Sequence, residues 1–175
     1  MTRPVAIDPA KLVDAADALV DHHIGRAGRP RAVYLRRAVS TAYYGLYHCV
    51  CLEAARTLIP SAPPTQQMFL ARAFGHREVK TCCEWIAGRR GGTHRYVVPL
   101  VRALKQSEFV DVADSFCDLQ EARHQADYDH LASFSKATAN SLVAEARFAI
   151  AAIESASADE REAFFALLAI RAKMA

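Results

Sequence analysis

Five side chains suited to acid–base or phosphate chemistry lie within one short stretch: Arg123, His124, Asp127, Tyr128 and His130. A guanidinium offers a fork of donors to the non-bridging oxygens of a phosphate. An imidazole can exchange a proton near neutral pH. Because RNA supplies its own nucleophile, the ribose 2′-hydroxyl, Arg123 and His130 fit phosphodiester cleavage without a metal. In this interpretation Arg123 holds the phosphate, His130 handles the proton, and the other three side chains support them.

The helix that carries these residues is predicted to run from Glu108 to about Asp127. Its core-facing stripe recurs at helical spacing and consists of Phe109, Val112, Ala113, Phe116 and Leu119. The same stripe leads on to Arg123, Asp127 and His130. Seven residues make nearly two turns, so Arg123 and His130 face the same way if the helix persists; otherwise a loop places the imidazole. The alternative interpretation is a salt bridge between Arg123 and Asp127, with His130 as an ordinary loop residue.

A second helix, predicted from about Arg31 to Leu58, is apolar on almost every side between residues 38 and 52. It should therefore be the central, most buried helix. One polar face follows a 4-3-4 spacing and consists of Arg37, Thr41, Tyr44 and His48. We expect this face to meet the polar end of the Arg123 stripe, which makes Arg37, Tyr44 and His48 candidates for the wall of a cleft. Alternatively these groups satisfy one another in the core, which is the preferred interpretation for His48.

The remaining pattern predicts an all-α protein. Asp8-Pro9 opens a helix that ends near His23, Thr65 caps a third helix with a weak point at Gly75, and Pro99 begins a short helical piece. Further helices are predicted from about residue 133 to 155 and from Ser157, where Glu160 completes a capping box. The expected fold is an antiparallel up-and-down bundle of five to six helices in a single domain over residues 1–175. Its core covers about residues 8–156, and the last helix, about 158–174, packs on the bundle or on a partner chain.

Charge is divided unevenly along the chain. Residues 1–107 carry 16 Lys+Arg and 7 Asp+Glu, whereas residues 108–175 carry 6 and 12. Two basic runs contain no acid: one holds Arg26, Arg29, Arg31, Arg36 and Arg37, and the other Arg89, Arg90, Arg95, Arg102 and Lys105. Either run could touch phosphate, or could pair with the acidic helices in the fold or in a dimer.

Several classes of protein are disfavoured. The five cysteines are odd in number and lack CxxC spacing, so they are expected to be free thiols in a reducing compartment. There is no signal-peptide core and no run apolar enough to span a membrane, so a cytoplasmic protein is expected. Phosphate loops, dinucleotide fingerprints and metal-ligand motifs are missing, so we expect no cofactor and no metal.

Two stretches together resemble one family. Residues 36–50 read RRAVSTAYYGLYHCV and residues 116–129 read FCDLQEARHQADYD. They resemble the second and fourth helices of a prokaryotic branch of the HEPN-domain proteins (higher eukaryotes and prokaryotes nucleotide-binding), in the same order and separation. A following helix like SKATANSLVAEARFAIAAI also fits, and the similarity covers about residues 8–156.

The resemblance implies a HEPN-like helical bundle and an activity. Many members are metal-independent endoribonucleases of toxin or defence type, with an Arg-x(4–6)-His motif that a homodimer brings together in a cleft. Arg123 and His130 match as Arg-x6-His, at the long limit of that motif. The resemblance also implies an RNA substrate and a nucleotidyltransferase-like antitoxin as partner. The alternative is a non-catalytic HEPN module that binds a partner protein or a nucleotide; in one branch the arginine and the Asp-Tyr pair recur without the histidine, so Arg123, Asp127 and Tyr128 would be structural.

Overall fold

A computed structural model describes residues 7–22 and 31–173 of the chain. Those residues form helices and loops without a strand, so the prediction of an all-α helical bundle is confirmed. The helices are α1 Pro9–Val20, α2 Ala32–Leu58, α3 Pro64–Ala71, α4 His76–Ile86, α5 Val98–Leu104, α6 Phe109–Tyr128, α7 Lys136–Ser155 and α8 Ala158–Lys173.

The described chain has more helices than the five to six predicted because one predicted helix is divided and a short one is added. Gly75 is the extended N-cap of α4, with φ −85° and ψ 158°, so it separates α3 from α4. Thr65 is not a cap: α3 begins at Pro64, whose fixed φ suits a first helical position. The short helix α5 begins at Val98, and α1 ends at Val20. The predicted end at His23 lies outside the described residues.

Helix α2 is the centre of the bundle, as predicted. It packs against α1, α3, α6, α7 and α8. Gly45 lets α1 approach closely, because a Cβ at this position would lie 2.8 Å from Val13 Cγ2 and 3.2 Å from the Pro9 carbonyl oxygen. Glycine lowers the helix propensity of α2 at this position, but it permits a close contact between α1 and α2.

Helix α6 lies between α2, α4 and α7. The five residues of its predicted stripe are all buried, from Phe109 to Leu119. The five cysteines are free thiols in the core, and burial raises the pKa of Cys117 to about 11. They pack as small apolar side chains, as predicted from their neighbours.

Helix α8 packs on the bundle. Its Phe164 ring stacks on Phe109 at a centroid distance of 4.7 Å, and the predicted capping box joins Ser157 to Glu160. Arg161 forms an ion pair with Glu53, a carboxylate of α2 that is only 7% exposed. Glu53 also pairs with Arg56 of its own helix, and its pair with Arg161 connects α8 to α2. None of the helices in the described ranges has both the length and the apolar character needed to cross a membrane.

Candidate functional site

The position of the site depends on where α6 ends, and Arg36 of α2 binds that end. The Arg36 guanidinium donates from Nε to the Ala126 carbonyl at 2.8 Å and from Nη1 to the Ala132 carbonyl at 2.8 Å. Nη2 donates to the carbonyls of Asp129 at 2.7 Å and Gln125 at 3.4 Å. The last carbonyls of a helix have no partners within it and carry partial negative charge. Arg36 supplies those partners and fixes the turn that follows α6.

The turn separates His130 from Arg123. Helix α6 ends at Tyr128, and Asp129 is extended with φ −90° and ψ 107°. His130 is therefore exposed in a loop, as in the alternative in which the helix stops early. It makes no hydrogen bond, ion pair or ring contact with any residue that the structure describes. The helical alignment that would place Arg123 and His130 on one face does not occur.

Arg123 is held by contacts within its own chain. Its Nε lies 2.8 Å from Asp127 Oδ2, and the two side chains are only 16% and 19% exposed. Its Nη2 donates to the Tyr44 hydroxyl at 2.8 Å, while Ser40 donates to the same Asp127 oxygen at 3.2 Å. Burial acts to lower the pKa of Arg123, but the Tyr44 hydroxyl and the Asp127 charge raise it overall. The salt bridge at i,i+4 is thus strengthened by two side chains of α2.

Aromatic rings surround the guanidinium. Arg123 Cζ lies 5.3 Å from the centre of the Tyr128 ring, 5.4 Å from that of Tyr44 and 5.8 Å from that of Tyr43. A cation over the faces of such rings is stabilised by their quadrupoles. The arrangement offers Arg123 several partners within its own chain and leaves little of its charge for a ligand.

His76, which is not among the predicted site residues, belongs to this aromatic cluster. Its ring stacks on Tyr47 at 3.8 Å, and its Nδ1 lies 2.7 Å from the Tyr43 hydroxyl. Burial lowers the pKa of His76, and the nearby charge of Arg123 lowers it further. His76 is therefore neutral at pH 7 and shares a hydrogen bond with Tyr43. The N-terminal position of His76 in α4, directly after Gly75, gave no signal that it would reach α2.

The three predicted wall residues of α2 have different environments. Tyr44 contacts Arg123 as described. Arg37 is exposed on a cavity of about 370 Å³ that also involves Asp127 and Tyr128. His48 lines a different cavity of about 230 Å³, and burial lowers its pKa. Arg37, Tyr44 and His48 therefore do not line one cleft as predicted. The face of α2 that meets α6 is rotated by one residue from the predicted face. On that face Arg36, Ser40 and Tyr44 form hydrogen bonds with α6, and the Tyr43 ring lies against Phe116.

His124 and Tyr128 lie on the outer face of α6. Their rings are 4.9 Å apart, and both line a shallow cavity of about 630 Å³. Lys80 provides a positive charge there, whereas Glu121 and Asp129 are acidic. Tyr128 is 61% exposed and also borders the cavity of Arg37. Of the five predicted residues, Arg123 and Asp127 are thus paired and largely buried, and the other three are exposed.

Metal chemistry has no ligand set in the described ranges 7–22 and 31–173. No three His, Cys, Asp or Glu side chains there are grouped closely enough to hold an ion. The buried cation at the centre of the site, Arg123, would itself repel a metal.

Comparisons with protein-family models, with curated proteins and with solved structures find no match to this chain. The resemblance to HEPN-domain proteins stays a prediction from the two sequence stretches.

Arg36 and its neighbour Arg37 give a matched pair of variants. We expect Arg36→Ala to lower the free energy of unfolding by about 2–3 kcal/mol, because it removes a charged donor from several helix-end carbonyls. Arg37→Ala should change it by less than about 0.5 kcal/mol, because Arg37 is exposed and makes no such bond. Urea unfolding measures both, and amide exchange should accelerate in the last turn of α6 only in the Arg36 variant. Equal stability of the two variants would contradict the capping role.

His76 predicts a pH dependence of stability. Its pKa in the folded protein is lowered below the unfolded value of about 6.5, so the unfolded chain binds more protons as pH falls. This contribution to stability is complete above about pH 7 and is lost as pH falls through 6.5 towards the native pKa. We expect His76→Gln to lose less unfolding free energy between pH 8 and pH 5.5 than the wild type. Identical losses, measured by urea titration, would show that His76 is not responsible.

Proposed function

We propose that this protein is a HEPN-type interaction module that binds a partner protein and does not cleave RNA through Arg123 and His130. The observation that carries the proposal is the internal engagement of Arg123 by Asp127 and Tyr44, with the side chain only 16% exposed. A phosphate-binding arginine must present its donors to the ligand. Here Nη2 already donates to Tyr44, and Nε lies at ion-pair distance from Asp127 without forming a hydrogen bond.

The cost of releasing Arg123 argues against a ready phosphate site. To bind a phosphate, the guanidinium would have to leave Asp127 and the Tyr44 hydroxyl. The carboxylate of Asp127, which is only 19% exposed, would then keep Ser40 as a donor but lose its paired charge, which is unfavourable. His130 lies exposed in the loop after α6. No described residue makes a hydrogen bond, ion pair or ring contact that would hold its ring beside a scissile bond.

A partner-binding surface lies next to the buried pair. Val33 is 56% exposed, Tyr128 61% and Leu131 94%. Val33 and Tyr128 border the same cavity as the exposed Arg37. Arg36 ties residues 129 and 132 to α2, which keeps Leu131 at the same end of α6. Tyrosine and arginine around apolar side chains are the residue types enriched at the centres of protein interfaces. We call the set Val33, Arg37, Tyr128 and Leu131 the α6-end surface.

The second candidate function is the metal-independent endoribonuclease implied by the family resemblance. It is favoured by the exposed His124 and Tyr128, which border a cavity of about 630 Å³ next to Lys80. For cleavage, Tyr128 would have to move off the Arg123 guanidinium, and a second chain could bring the histidine. A homodimer, a nucleotidyltransferase-like partner and a cytoplasmic location remain part of the proposal on the same resemblance.

A cleavage assay in excess EDTA separates the two functions. We expect no RNA cleavage by the wild type, by Arg123→Lys or by His130→Ala, because the arginine is engaged internally. Arg123→Lys is used because it keeps a charge beside Asp127, and circular dichroism checks that each variant is folded. Cleavage by the wild type that both substitutions abolish would contradict the module and establish the nuclease.

The α6-end surface is tested by a binding comparison. We expect Leu131→Asp to abolish retention of the partner on immobilised protein, because a charge at the centre of an apolar interface is strongly unfavourable. Phe69→Asp is the matched control: Phe69 is 68% exposed on α3 and lies outside this surface. Proteins retained by the wild type and by Phe69→Asp, but not by Leu131→Asp, support the proposal. Equal retention by all three would exclude the α6-end surface as the interface.

A further inference from the structure

The second basic run of the sequence, residues 89–105, is only partly neutralised by ion pairs with acidic residues. Arg89 pairs with Asp114 and Asp118 of α6, the former at 2.7 Å. Arg90 pairs with Glu84 at 3.2 Å. The other three cations of the run make no ion pair with a described residue: Arg95, Arg102 and Lys105. Since residues 85–107 contain no acid, this part of the surface keeps an excess of positive charge.

Two of these cations lie at the end of helix α5: Arg102 in its last turn and Lys105, the C-cap residue, which keeps helical backbone angles. Val97, Val101 and Leu104 are buried, and α5 packs on α4 and α8. Arg102 and Lys105 are exposed, and they line a surface depression of about 300 Å³ with Val98 and Thr93. The spacing of three residues places both charges on the same side of the helix. Burial of the opposite face therefore holds them outward.

An exposed aromatic residue, Tyr96, lies just before α5 in the sequence. Tyr96 is 71% exposed, the second highest exposure among the large hydrophobic side chains that the structure describes. Arg95 Cζ lies 4.8 Å from the centre of its ring, and Arg95 Nη2 donates to its hydroxyl at 2.7 Å. The His94 ring is 5.0 Å from that of Tyr96. These contacts hold the tyrosine in place while most of its surface stays open to solvent.

We propose that this surface, formed by Arg95, Tyr96, Arg102 and Lys105, binds single-stranded nucleic acid. Cations without an ion pair at the nearby sequence positions 95, 102 and 105 suit the phosphates of a strand, and an exposed ring suits stacking of a base. A duplex would offer the phosphates but keep its bases stacked away from Tyr96. The surface is separate from the Arg123 cluster, so the proposal does not depend on the function assigned to that cluster. It goes beyond that function because it adds a nucleic-acid ligand to a protein-binding module.

The test measures fluorescence anisotropy with a labelled 12-nucleotide RNA and with DNA of the same sequence. Three phosphate contacts predict a slope of about −2 for the logarithm of affinity against the logarithm of salt concentration. Arg102→Gln combined with Lys105→Gln should reduce that slope to about −0.7. Tyr96→Ala should weaken binding by about tenfold without changing the slope, because it removes stacking and no charge.

A matched control removes the same charge elsewhere. Arg72 and Arg77 are exposed and make no ion pair with a described residue, so Arg72→Gln combined with Arg77→Gln has the same net charge as the α5 variant. We expect this control to bind like the wild type. Equal affinity for RNA and DNA assigns recognition to phosphate and base, and a preference for RNA adds the 2′-hydroxyl; both agree with the proposal.

Four results would overturn it. The first is that the wild type does not bind at about 50 mM salt, and the second is that the α5 variant and the control lose the same affinity. The third is that a duplex binds as tightly as a single strand. The fourth is that Tyr96→Ala leaves the affinity unchanged. Size-exclusion chromatography with light scattering covers the remaining alternative. If the α5 variant changes the oligomeric state, the surface pairs with an acidic face of a second copy, and nucleic-acid binding is rejected.

Discussion

The hydrogen bonds from Arg36 to the end of α6 are the constraint on which the rest of the site depends. Helix α6 carries its partial negative charge at the Gln125–Asp129 end, where its carbonyls lack partners in the helix. Arg36 binds several of those carbonyls, together with that of Ala132 in the next turn. The planar, permanently charged guanidinium can serve several acceptors at once, which a lysine could not do in a fixed geometry. This single side chain determines where α6 stops and how the chain leaves it.

The environment of Arg123 follows from that end point. With α6 fixed against α2, Asp127 faces inward and meets both Ser40 and Arg123, while Tyr44 accepts from the same guanidinium. A mostly buried arginine is tolerated only when its charge is compensated and its donors are used. The contacts that make Arg123 compatible with the core also withdraw it from a ligand. Arg123 cannot bind a phosphate with the same nitrogens that contact Asp127 and Tyr44. In this structure it keeps the internal contacts.

The sequence predicted the elements of the fold better than the details of the site. Periodicity identified α2, α6 and α7, because each has a long apolar stripe. The pairing of Arg123 with Asp127 was also among the interpretations from i,i+4 spacing. Periodicity could not resolve which of two adjacent arginines faces α6, since a rotation of one residue separates Arg36 from Arg37. Nor could it place His76, whose contacts with Tyr43 and Tyr47 depend on where the start of α4, which packs on α6, lies relative to α2.

The division of charge along the sequence has two outcomes in the fold. Some arginines of the basic half form contacts within the fold: Arg36 binds helix carbonyls and Arg89 binds two carboxylates of α6. Such cations stabilise the bundle and have no charge left for a partner. Others, such as Arg102 and Lys105, are held outward because the opposite side of α5 is buried. A count of basic residues therefore says little about binding, whereas the number left unpaired by the fold says where an anionic ligand can dock. By that measure the cations beside α5 are free to meet an anionic ligand, as are other exposed and unpaired arginines such as Arg72 and Arg77, whereas the arginine that the motif first indicated is already paired.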